Sequence, residues 1–114
     1  MTAPRVHEMT FVNPVFHAGL NITVRHGDKW ARLAQIGDHI QIPGRAGTIP
    51  IAGLLHRAEL GDIPDAVLSL EHDAAARSHA GLRCILDDIY GPTDSGLRGV
   101  TVVFLDVPAP LASI

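Results

Sequence analysis

Asn21, Thr23 and Arg25 alternate along the segment Leu20 to His26, and the apolar residues Leu20, Ile22 and Val24 take the opposite phase. That is the period of a β-strand, so the three polar side chains share one face, spaced about 7 Å apart at i, i+2. An amide, a hydroxyl and a guanidinium set together can read the hydrogen-bonding edge of a base and hold a phosphate or carboxylate. The same row also suits the solvent face of an edge strand, and the pattern leaves both readings open. Lys29 and Trp30 follow the turn signal Gly27-Asp28. The indole can stack a base while the ammonium meets a phosphate; the competing reading is a solvated lysine beside a tryptophan folded onto the core. Further along, Glu71-His72-Asp73 is an acid–base cluster able to supply a general base, or else a solvated helix end.

Other chemistry is excluded or weakly supported. The seven histidines never form a His-Glu-x-x-His or other compact ligand pattern, so no metal site is expected. A single cysteine, Cys84, rules out an internal disulfide and a cysteine-based zinc site, and its place in a helix suggests a small, at least semi-buried hydrophobe. There is no Gly-rich phosphate loop and no dinucleotide fingerprint, so no cofactor is expected.

The elements that must position these residues follow from period and punctuation. Val6 to Val12 reads as a strand broken by Asn13-Pro14, and Val15 to Gly19 as one short helical turn. Leu20 to His26 and Gly37 to Ile42 are strands, the second closed by Pro43-Gly44. Thr48 to Leu60 is a longer strand with a bend or bulge at Pro50 or Gly53. Asp62 can cap a helix with Pro64 in its first turn. Ser78 can cap a second, in which Leu82, Ile85, Leu86 and Ile89 form one apolar face and Gly91-Pro92 makes the stop. Thr93 to Gly99 reads as a loop, and Val100 to Val107 as an apolar run that fits a buried central strand. Pro108 to Ile114 is a tail. The order β-β-β-β-α-α-β fits an α+β domain, a curled sheet or small β-barrel with two helices packed on its side.

At 114 residues, the chain suits one domain, residues 1–114. Its 46 % apolar and 18 % charged content is globular, and with 4 % aromatics the core must be mainly aliphatic, Phe11, Phe16, Trp30, Tyr90 and Phe104 being the few large pieces. No apolar run approaches the roughly 20 residues of a membrane helix, and Met1 to Glu8 lack signal-peptide character, so a cytoplasmic protein is expected, with no membrane partner. The net charge of −3 argues against non-specific nucleic-acid binding, which needs a surplus of Lys and Arg. Its distribution is uneven. Residues 1–57 hold six cations against three acids, and residues 58–114 three against nine, a split that can place a local basic site on an acidic protein.

Two segments resemble the ASCH domain of the PUA-like superfamily, in its small bacterial or phage form. The first is His17-Ala-Gly-Leu-Asn-Ile-Thr-Val-Arg25 followed by Ile36-Gly-Asp-His-Ile-Gln-Ile42. It is similar to the family's Gly-x-Lys-x-x-Glu/Thr-x-Arg strand and the Gly-Asp that opens the next strand. The second is Leu82-Arg-Cys-Ile-Leu-Asp-Asp-Ile-Tyr90-Gly-Pro, with the later Val100-Thr-Val-Val-Phe-Leu-Asp-Val107. It is similar to the closing helix and final strand of these domains. Arg25 matches the signature arginine and Thr23 the Glu/Thr position. The signature is one residue short, and no lysine stands between Gly19 and Arg25, Asn21 being the nearest counterpart.

The resemblance implies a cleft for RNA, single-stranded nucleic acid or a modified nucleoside. Some ASCH proteins are amidohydrolases on N4-acetylated cytidine, using the lysine, the threonine and a later glutamate; others resemble ribonucleases. Here the later acid would be Glu71 or Asp73. The expected ligand contacts are Asn21, Thr23, Arg25, Lys29 and Trp30, and any catalysis would fall to Thr23, Lys29 and Glu71. A binding module is the leading expectation, a small hydrolase using the same cleft the alternative, and a non-catalytic protein-interaction module the third reading. Arg25 has two expected roles, holding a ligand phosphate or pairing with an acid such as Asp88 or Glu71.

Overall fold

The two strongest strand signals in the chain pair with each other. The computed structural model describes residues 4–90, with the side chain of Tyr90 left aside, and residues 99–109. Five strands, β1 (Val6–Glu8), β2 (Gly19–His26), β3 (His39–Gln41), β4 (Ile49–Arg57) and β5 (Val100–Val107), form one mixed sheet in the order β1-β3-β4-β5-β2. β1 runs parallel to β3 and every other pairing is antiparallel. β5 has β4 on one side and β2 on the other, with core packed on both faces, which is why its sequence is nearly continuously apolar rather than alternating. The β4–β5 register slips between Ile51 and Gly53. A Cβ at Gly53 would stand 3.1 Å from the Phe104 ring, so the expected bulge sits where backbone must approach an aromatic side chain.

Alternation divides the core in two. Val103, Leu105 and Val107 point into one cluster with Met9, Phe16 and Trp30, and Val100 and Val102 into the other with Ile22, Leu68, Leu82 and Leu86. The second cluster is the helix-covered face. Three α-helices are present among the described residues, α1 (Lys29–Leu33), α2 (Asp65–Leu68) and α3 (His79–Tyr90). In α3 the Gly81 N–H donates to the Ser78 hydroxyl at 3.0 Å, the cap anticipated from sequence. Leu82 and Leu86 are buried, Ile85 is half-buried, and Ile89 is 46 % exposed, so the apolar face extends past the core it covers.

Several expectations need correction. Two helices were expected and three occur, because Lys29 to Leu33, anchored by the buried Trp30, closes a helical turn in what reads as a polar loop. The five residues hold one core anchor, too few to display a 3.6-residue period. Asp62 belongs to a 3-10 turn, Leu60–Asp62, and Pro64 itself occupies the N-cap of the very short α2. Val15 to Gly19 is not helical, and β1 stops at Glu8, after which the Met9 N–H takes the Gln41 carbonyl at 3.0 Å. Cys84 is exposed rather than semi-buried. The Gly91-Pro92 stop, the loop up to residue 98, the Tyr90 side chain and residues 110–114 lie outside the described residues. No helix among the described residues is long and apolar enough to cross a membrane.

Candidate functional site

A short segment after α2 builds the site. Leu70 to His72 lies parallel to β2 for the length of one bridge, Ile22 to Glu71. The Ile22 N–H donates to the Leu70 carbonyl at 2.9 Å, and the His72 N–H donates to the Ile22 carbonyl at 3.0 Å. The chain then leaves through Asp73, whose carboxylate accepts the Ala75 N–H at 3.0 Å and caps the 3-10 turn Ala74–Ala76. The divergence opens a cleft of about 390 Å³ between the end of β2, the Thr10–Asn13 segment, Glu71–Asp73 and α3.

The polar centre of this cleft is a buried pair. Glu71 is 2 % exposed, and its Oε1 lies 3.0 Å from His72 Nε2. His72 Nδ1 lies 3.2 Å from the Val15 carbonyl, which can only accept. Nδ1 therefore carries the ring proton, Nε2 offers a lone pair, and the bond to Glu71 closes with the proton on the carboxyl. The electrostatics agree. Burial pushes the Glu71 carboxyl up to about 8, with the Asp73 charge adding to the rise and the Asp73 main-chain N–H, Arg25 and Arg77 partly offsetting it. Burial likewise drives the His72 imidazole down to about 4. Two neutral partners avoid the desolvation of an ion pair set among aromatic rings. His72 packs against Phe11 and Phe16, with ring centroids 5.1 and 5.2 Å away. Glu71 Oε2 is shielded from solvent and has no hydrogen-bond partner among the described residues.

Around this pair, Thr23 and Arg25 line the cleft from β2, and Leu82, Ile85, Leu86 and Ile89 supply an apolar wall from α3. The Arg25 guanidinium lies 4.5 Å from the Phe11 ring centroid and donates to the Thr10 carbonyl at 2.7 Å, tying the Thr10–Asn13 segment to the strand. Of the residues expected at the site, Thr23, Arg25 and Glu71 are brought together and three are not. Asn21 is fully buried: its amide donates to the His17 and Gly19 carbonyls and its oxygen accepts the His17 N–H, so it closes the approach to β2. Lys29 is exposed on α1, its ammonium 5.8 Å from the Trp30 ring, and Trp30 is buried in the opposite core cluster with its ring edge-on to His7. Neither lines the cleft. Phe11 and the α3 wall are the residues that sequence reasoning had not placed there, whereas His72 comes with the Glu71-His72-Asp73 cluster read from the sequence. The adjacency of His72 to Glu71 was the available signal.

No group of three or more His, Cys, Asp or Glu side chains able to hold a metal ion occurs among the described residues. No protein-family model matches the sequence, and no curated protein is significantly similar to it. A solved structure that it resembles is the crystal structure of hypothetical protein PH0355, at TM-score 0.68 and 14 % identity over 89 % of this chain and 97 % of that one. The likeness concerns the fold, a small α+β domain built on a five-stranded mixed sheet.

Proposed function

We propose that the chain is an ASCH-type, PUA-like domain whose cleft binds a nucleoside, free or at the end or in a loop of a single-stranded RNA. The observation that carries this reading is the buried Glu71 carboxyl, which belongs to the lining of an apolar-walled cavity and whose Oε2 has no partner among the described residues. An orphaned buried acceptor is costly unless a ligand donor satisfies it. The cavity volume of about 390 Å³ falls in the range of small-molecule sites. Phe11 and the apolar residues of α3 suit the faces of a planar base. Arg25 supplies a positive charge at the wall for a phosphate or ribose. The surrounding acids and the net charge of −3 disfavour a long polyanion.

Titration with the four ribonucleosides and short single-stranded RNAs, followed by calorimetry, tests this. Arg25→Ala is expected to weaken binding at least about tenfold and to lower stability by about 1–2 kcal/mol through the lost Thr10 bond. Arg25→Lys should recover little, because a point charge reproduces neither the contact with Phe11 nor the planar donor geometry. Unchanged affinity in Arg25→Ala would remove this residue from the site, and no binding by any nucleoside or RNA would end the proposal.

A second reading, a small amide hydrolase, is favoured by one observation: Thr23 and Glu71 line the same cleft, and the Glu71 carboxyl is raised to about 8, within reach of general acid–base work near neutrality. Lys29 takes no part in that cleft, and Asn21 cannot replace lysine's proton chemistry. Hydrolysis of N4-acetylcytidine is therefore expected at background level. Turnover that persists through purification and vanishes in Thr23→Ala would establish the enzyme instead.

A further inference from the structure

Residues two apart on a strand direct their main-chain N–H and C=O to the same side. Ile22 turns both groups away from β5, to the Leu70 carbonyl and the His72 N–H. The β2–β5 register is unbroken from Gly19 to His26, so Val24 must turn its N–H and C=O outward on that same edge. There the parallel segment has already left: the bridge is a single one, and no hydrogen bond joins the Val24 main chain to another described residue across the gap. Val24 is only 6 % exposed and lines the cleft. Buried main-chain donors and acceptors almost always have partners, so an open pair at a cavity marks a place for one. On the other side of the strand the β2–β5 ladder runs on past His26, where the Gly27 N–H takes the Gly99 carbonyl at 2.8 Å.

We propose that the Val24 main chain reads the edge of the bound ligand, and that this ligand is a planar heterocycle with a hydrogen-bond acceptor beside an N–H donor, the edge of a cyclic amide or amidine. The inference rests on the nucleoside reading of the cleft and deepens it. The heterocycle takes the place that a longer Leu70–His72 strand would occupy, its acceptor on the Val24 N–H and its donor on the Val24 C=O. Glu71, bridged to Ile22 on the same edge, offers its unpartnered Oε2 to a further donor.

The test uses ¹⁵N-labelled protein with each ribonucleoside and with its edge-methylated counterpart, N3-methyl for the pyrimidines and N1-methyl for the purines. In the free protein the Val24 amide is expected to exchange with solvent faster than those of Thr23 and Arg25, which face β5. The nucleoside that binds should shift the Val24 resonance and slow its exchange by about tenfold or more, and methylation of its edge should weaken binding by about tenfold. A Val24 amide as protected in the free protein as its neighbours overturns the inference. So does a nucleoside that shifts Phe11 and Thr23, leaves Val24 untouched and tolerates the methyl group, although the cleft would then still be a nucleoside site. If no cleft resonance responds to any nucleoside, the functional reading fails and this ligand class fails with it.

Discussion

Between about pH 5.5 and 9, the stability difference between Glu71→Gln and the parent protein is expected to move in the variant's favour by about 3 kcal/mol. The Glu71 carboxyl titrates near 8 in the fold against an ordinary 4.5, so it binds its proton more tightly folded than unfolded. Its stabilisation is complete below pH 4.5 and is lost as pH rises toward 8. His72 behaves oppositely. Its folded value of about 4 lies below the ordinary 6.5, so its stabilisation is complete above 6.5 and is lost as pH falls toward 4. From 4.5 to 6.5 the two slopes cancel, because unfolding releases a proton from the glutamic acid and hands one to the imidazole. The contribution of the pair is therefore flat there. Above 6.5 only Glu71 still titrates, and the parent should lose about 2 kcal/mol by pH 8. A glutamine at this position keeps an N–H for His72 Nε2 and has no proton to lose, so it removes the alkaline loss. Urea unfolding of both proteins across this range measures the effect. Parent stability that does not fall between pH 6.5 and 8, or a difference independent of pH, would show instead that Glu71 is already ionised in the fold at pH 6.5.

The parts of this architecture that were legible in the sequence are those fixed by local period or punctuation. β2 and β5 announce themselves by alternation and by a nearly continuous apolar run. α3 has a hydroxyl cap and apolar residues at helical spacing, and Gly53 marks its bulge because a side chain there would crowd Phe104. The shared face of Thr23 and Arg25 also followed from alternation, and it is the part of the expected site that reached the cleft. Asn21 shares that face, yet the turn before β2 engages its amide completely, a local competition between side chain and backbone that alternation does not reveal. Lys29 and Trp30 stand a few residues beyond Arg25 in sequence, but α1 carries the indole into the other core cluster. The Glu71–His72 pair was visible as two neighbouring letters. What makes it a site, one bridge to Ile22 some fifty positions away and two aromatic rings from the Phe11–Phe16 segment, is long-range and leaves no period in the chain.

Those rings carry the largest single effect expected. Phe16 is 1 % exposed, with its centroid 5.2 Å from that of Phe11 in an edge-to-face contact and 5.2 Å from the His72 ring. The Arg45 guanidinium lies 5.9 Å from its centroid while donating to the Pro14 carbonyl at 2.6 Å, so this one side chain joins the Pro14 loop, the first core cluster and the buried pair. Phe16→Ala should lower stability by about 3–5 kcal/mol, the sum of lost burial and the cavity left behind. That is a large share of the about 5–15 kcal/mol of an ordinary domain, so Phe16→Leu, which keeps most of the volume at a cost of about 1–2 kcal/mol, is measured beside it. A hole beneath His72 admits water, and with rehydration the Glu71 carboxyl returns toward its ordinary range, because burial is the main cause of its rise. The alkaline loss of stability should accordingly shrink in Phe16→Ala and persist in Phe16→Leu. Ile40→Ala supplies the comparison: it empties a fully buried position in the same cluster, on β3, and should cost about 2–5 kcal/mol while leaving the pH profile unchanged. If Phe16→Ala destabilises the protein and its alkaline slope still matches that of Ile40→Ala, Phe16 packs the core without holding the Glu71–His72 pair dry, and the ring's link to the site is lost.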